Sequence, residues 1–110
     1  MLFVLHGYDR KPDGAEVRRR TRAAHLEFIS TRTHIFRYGG ALLDEAGKMI
    51  GSLMMIELPD RAALDRYLAE DPYTRAGLYD PLHINETRQV LPEVTPGFLA
   101  AELQRERAKG

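Results

Sequence analysis

Met49-Ile50-Gly51-Ser52-Leu53-Met54-Met55-Ile56-Glu57-Leu58 passes from Leu53 to Ile56 without a polar residue, the pattern of a strand covered on both faces rather than one. Pro59-Asp60 ends the run and caps a helix in which Ala63, Leu64, Tyr67 and Leu68 recur at helical spacing. Upstream, Asp44-Glu45-Ala46-Gly47-Lys48 reads as a turn. Before it, Ile35 to Leu43 is a strand interrupted by Gly39-Gly40, where a bulge or a close backbone approach is expected. The middle of the chain is therefore strand, turn, strand, helix.

Leu2 to Tyr8 is rich in branched and aromatic residues and is ended by Asp9 to Gly14, so a first strand is expected there. Asp13 and Glu16 have the spacing of a capping box for a helix reaching about Arg32. Its core stripe is predicted as Val17, Thr21, Ala24 and Phe28. Arg18, Arg22, His25 and Ile29 share the flank beside that stripe, and Leu26 lies across the helix as a candidate partner contact. Leu82 to Leu91 is the expected last strand, with Leu82, Ile84 and Val90 on one face and a polar middle suited to a sheet edge. Thr95-Pro96 is placed to cap a terminal helix whose Phe98, Leu99 and Leu103 need a surface to cover.

Strand, helix, strand, strand, helix, strand is the order of a ferredoxin-like α+β unit: an antiparallel four-stranded sheet with two helices on one face. Two helices leave the other face bare, whereas residues 53–56 ask for cover on both. A homodimer through the sheet faces is the expectation, burying about 600–1,000 Å² per subunit.

With 110 residues the chain suits one core and is too short for two. Lys plus Arg and Asp plus Glu each total 16, so no overall field favours nucleic acid as a partner. The lack of cysteine excludes disulfides and thiolate metal sites and fits a reducing cytoplasm. Met1 to Leu5 is apolar, but His6, Tyr8, Asp9 and Arg10 come too soon after it for a membrane span of about 20 residues. A soluble cytoplasmic protein without a membrane partner is expected. His6, His34 and His83 are scattered without ligand spacing, so no metal site is expected. No glycine-rich loop opens a helix, so neither is a nucleotide cofactor.

Chemistry is sought at Glu70-Asp71-Pro72-Tyr73-Thr74-Arg75-Ala76-Gly77-Leu78-Tyr79. Proline lacks an amide hydrogen and disfavours helix in the residue before it, so the second helix should end near Asp71 and hold a carboxylate at a chain reversal. Asp71 is by default a turn acid; paired with His25 it would orient the imidazole as a general base. Arg22, on the flank of His25, can hold a substrate anion, unless it and Arg18 form a solvated face. Ser52 can donate a hydrogen bond or be a plain strand residue beside Gly51, and Tyr73 can donate or pack.

Arg22-Ala23-Ala24-His25-Leu26, Gly39-Gly40-Ala41-Leu42-Leu43-Asp44 with Gly47, Gly51-Ser52-Leu53, and Asp71-Pro72-Tyr73 with Ala76-Gly77-Leu78-Tyr79 succeed one another at spacings that resemble the YciI-like (YCII-related) family over roughly Met1 to Leu91. The resemblance implies the dimeric α+β barrel type of ferredoxin-like fold and a pocket holding a His and an Asp, here His25 and Asp71. Activities assigned in the family and its wider superfamily include dehydrochlorination and lactone isomerisation of small, often aromatic-derived substrates. The chain departs in having Ala41 where proline is frequent and in its extension from Glu93, so residues 1–92 are expected to form the domain and 93–110 a helical appendage. The expected function is cofactor-independent proton transfer by His25 and Asp71, with Arg22, Ser52 and Tyr73 binding a small organic acid or ring ketone. The alternative is a non-catalytic small-molecule-binding or dimeric interaction module.

Overall fold

β1 (Leu2–Asp9) sends Phe3 and Leu5 inward, both essentially without exposure, and β3 (Met49–Glu57) sends Met54 and Ile56 to the same side. Leu5 is paired with Met54 and Phe3 with Ile56 across the ladder, so the four form one apolar patch. In the computed structural model, which describes residues 1–110, these strands are the centre of an antiparallel sheet. β2 (Phe36–Leu43) and β4 (Tyr79–Thr87) lie at its edges, in the order β2-β3-β1-β4. This is the ferredoxin-like α+β fold of the dimeric α+β barrel type, with one further helix at the C-terminus.

α1 (Gly14–Ser30) and α2 (Arg61–Glu70) cover the inner face, Leu64 and Tyr67 completing the main core. The Asp60 carboxylate accepts from the Ala63 N–H at 2.8 Å and caps α2, a contact that contributes about 1 kcal/mol. α2 stops at Asp71, and the short α3 (Pro72–Arg75) begins there with proline at its first position. A second cluster of Val17, Tyr73 and Leu78 ties α3 to α1.

Several expectations are corrected. Asp13 precedes α1 but makes no side-chain cap, because its carboxylate is bound by Arg10, which also donates to the carbonyls of Ala76 and Gly77. Ala24 is exposed; the buried face of α1 runs through Gly14, Val17, Arg18 and His25. The irregularities of β2 fall between Phe36 and Tyr38 and between Leu42 and Leu43, so Gly39-Gly40 is not a bulge but the close approach, where a Cβ on Gly40 would sit 2.7 Å from the Tyr38 hydroxyl. β4 ends at Thr87, leaving Val90 exposed beyond it. α4 (Phe98–Ala108) has Gly97 at its N-cap; Thr95 takes the Phe98 N–H only through its backbone carbonyl, and the side chain that accepts from the first turn, at the Leu99 N–H, is that of Glu93.

No residue of α4 is buried, and Leu99 and Leu103 stay exposed. The radius of gyration is 16.8 Å, well above the about 13 Å of a compact chain of this length. The outer face of the sheet carries half-buried Val4, Leu53 and Met55 between exposed Tyr8 and Tyr38. His6 and His83, far apart in sequence, are cross-strand partners there, with ring centroids 6.1 Å apart. No helix is long and apolar enough to cross a membrane.

Candidate active site

Asp71 ends α2 and begins α3, and its two oxygens do different work. Oδ2 accepts from the Thr74 N–H at 3.3 Å and the Thr74 hydroxyl at 2.8 Å, capping α3. Oδ1 lies 2.8 Å from Nδ1 of His25, across from α1. The acid at the chain reversal is thus punctuation and imidazole partner at once. An ionised carboxylate only accepts, so Nδ1 carries a hydrogen, and in the neutral ring Nε2 then has the lone pair. Asp71 is fully buried, and the His25 ring is fixed from the side by Tyr73, stacked at 3.9 Å between centroids and 16° between planes.

His25 lines a cavity of about 310 Å³ between α1 and the start of the hairpin. Its polar side chains are Arg18, Arg22, His25, Thr33 and Ser52; Leu26, Ile29, Phe36 and Met54 supply apolar surface, and Gly39, Gly40 and Ala41 form a side-chain-poor flank. Leu26, expected as a partner contact, sits exposed at this mouth. The volume suits a single substituted ring. Arg22 is half-buried, has no carboxylate partner and only brushes the Met49 sulfur at 3.5 Å. Tyr73, expected as a substrate contact, is placed differently: the turn at Pro72 drives it inward behind His25, 1 % exposed and off the cavity wall.

Arg18, whose flank could have been solvated, is buried. Its Nε and Nη2 grip Asp9 at the end of β1, at 2.7 and 2.8 Å, and Nη2 also donates to Ser52 Oγ at 2.9 Å. Burial alone lowers the pKa of Arg18, but the hydrogen bonds and charge of Asp9 more than offset that and leave it raised. The Tyr79 hydroxyl donates to the same Ser52 oxygen at 2.9 Å. Burial pushes the Tyr79 phenol up to about 12, so it stays a neutral donor across ordinary pH. Arg18 also lies over the Tyr73 ring, 5.0 Å from its centroid, so Tyr73 is shared between the Asp9 group and His25. Asp9 had no signal in the sequence beyond ending a strand; Tyr79 fell in the stretch where chemistry was sought and in the family-like run 76–79, but without a role of its own, and β4 begins there rather than at Leu82.

The sequence profile of the YCII-related domain matches residues 1–88. The chain belongs to the YCII-related family. No protein of curated function matches it. Among solved structures, this YCII-related protein is similar to 5-chloro-2-hydroxyhydroquinone dehydrochlorinase (TftG) from Burkholderia phenoliruptrix, solved with 2,5-dihydroxybenzoquinone. The two are 26% identical with a TM-score of 0.73, over 81% of this chain and 95% of that one. An antibiotic biosynthesis monooxygenase shares the fold at 22% identity and a TM-score of 0.50, over 82% of this chain and 99% of that one.

Proposed function

We propose that the cavity binds a small organic acid or ring ketone and that Nε2 of His25 takes a proton from it without a cofactor. The C–H or O–H bond breaks, an N–H bond forms, and the freed electron pair enters the conjugated ring. Return of the proton at another carbon gives isomerisation; expulsion of a halide with the pair gives dehydrohalogenation, the proton and halide leaving as acid. Asp71 orients the imidazole and Arg22 holds an anionic substituent. The observation that carries this reading is a buried, carboxylate-oriented histidine opening onto a ring-sized cavity; the likeness to TftG supports it.

The test is solvent exchange in D2O with 5-chloro-2-hydroxyhydroquinone and a panel of hydroxylated ring acids, read by NMR with chloride release in parallel. Wild type is expected to accelerate exchange or release, and His25→Ala to return both to the buffer rate. Binding by wild type with neither exchange nor release would establish the non-catalytic module instead.

The bare face of the sheet completes the assembly. We infer that a second copy covers Val4, Leu53 and Met55, burying about 600–1,000 Å² per subunit. Light scattering at micromolar concentration is expected to give twice the 12.5 kDa of one chain. A mass of one chain would sink the dimer.

A further inference from the structure

The hydrogens that Arg18 and Ser52 bring to the cavity beside His25 can be accounted for one by one. Nε of Arg18 and part of Nη2 are spent on Asp9, and the rest of Nη2 on Ser52. Nη1 makes no hydrogen bond within the chain, yet it is not sealed off: the buried polar side-chain atom without a partner is the Tyr73 hydroxyl. Arg18 lines the cavity, and the Nη1 hydrogens are the ones that no group of the chain takes. Ser52 is in a complementary state. Its oxygen accepts from both Arg18 and Tyr79, which fills both lone pairs. With the phenol as donor, the Ser52 O–H hydrogen is the one this pair leaves over, and the open side of this buried residue is the cavity it lines.

We propose that Arg18 and Ser52 form an oxyanion subsite for a ring-borne oxygen, with Asp9 and Tyr79 as positioning residues that turn every spare hydrogen toward it. This rests on the reading of His25 as base and names the substrate class: a ring hydroxyl conjugated to a carbonyl, as in a hydroxyquinone or an enolised ring ketone. When His25 removes the proton, the electron pair moves onto that oxygen, and donors fixed in advance meet the charge without reorganising. An ionised ring oxygen is what this wall selects. A methyl ether at the same position cannot ionise and brings a methyl group against the donors.

The full-length chain is titrated calorimetrically with 2,5-dihydroxybenzoquinone and with its dimethoxy analogue. Wild type is expected to bind the dihydroxy compound more tightly. Ser52→Ala should weaken that binding by about 10–100-fold, the range for a hydrogen bond to a charged group, while hardly changing the dimethoxy compound. Tyr79→Phe, which frees a lone pair on Ser52 but keeps the packing, should narrow the preference by about 3–10-fold. A purely structural role for either residue would shift both ligands alike. Equal binding of the two quinones by wild type, no loss in Ser52→Ala, or no binding at all overturns the subsite. Ser52-dependent binding without His25-dependent exchange keeps the subsite and removes the catalytic reading; exchange indifferent to Ser52 does the reverse.

Discussion

Asp71→Asn is expected to lower His25-dependent turnover by about 10²–10⁴-fold, the range for loss of a correctly prepared general base. The reason is arithmetic of acceptors. The carboxylate accepts from His25 Nδ1 through Oδ1 and from the Thr74 N–H and hydroxyl through Oδ2. An amide has a single oxygen. If that oxygen stays on the Thr74 N–H, the NH2 group faces the imidazole and donates to Nδ1, which moves the ring hydrogen to Nε2 and removes the base. If the oxygen turns to His25, the NH2 meets the Thr74 N–H, two donors face one another in a buried place, and α3 loses its cap at about 0.5–2 kcal/mol. Turnover and the urea midpoint, measured on the same variant, show which orientation is taken. Full turnover would mean that the tautomer of His25 is not held by Asp71 at all.

The same double duty explains what could be read from the chain alone. Proline after Asp71 announces a helix end wherever it occurs, and one helical flank joins Arg18, Arg22 and His25, so the acid and the imidazole could be brought together on paper. The stripe of α1 was harder. An apolar rule passes through Ala24, which is exposed, because the face that packs carries Arg18 and His25 among its buried residues. Such residues are buried only when paired, and the partners come from elsewhere: Asp9 from the end of β1 and Asp71 from the α2–α3 junction. Periodicity within one helix carries no record of either. Ser52 is a similar case. That residues 53–56 belong to a central strand was legible, but that Arg18 and Tyr79 converge on one hydroxyl depends on the β1–β3 and β1–β4 registers together. Tyr73, judged by type as a donor, was decided by the turn before it. At the C-terminus the apolar residues of α4 do mark a helix, yet a helix pattern does not say whether its own chain supplies the surface.

Asp9→Ala is expected to be the most damaging single change to the fold, at about 3–5 kcal/mol, because it strips the partner from a charge that stays buried. At about 4 °C per kcal/mol for a domain of this size, the thermal midpoint should fall by roughly 12–20 °C. Both side chains are only 6% exposed and meet edge-on through two hydrogen bonds, so solvent cannot take over from the lost carboxylate without opening the end of β1. The pair as a whole need not add stability. Replacing both members with apolar residues of similar volume, as in Asp9→Leu with Arg18→Met, should recover most of the loss, since each ion was costly to desolvate in the first place. That double variant separates the two roles of the pair: it should fold, yet lack the guanidinium that donates to Ser52 and faces the cavity, so its preference for the dihydroxyquinone should disappear. If Asp9→Ala stays within about 1 kcal/mol of wild type, water reaches Arg18 freely, and a dry, preorganised donor wall is the wrong description of this site.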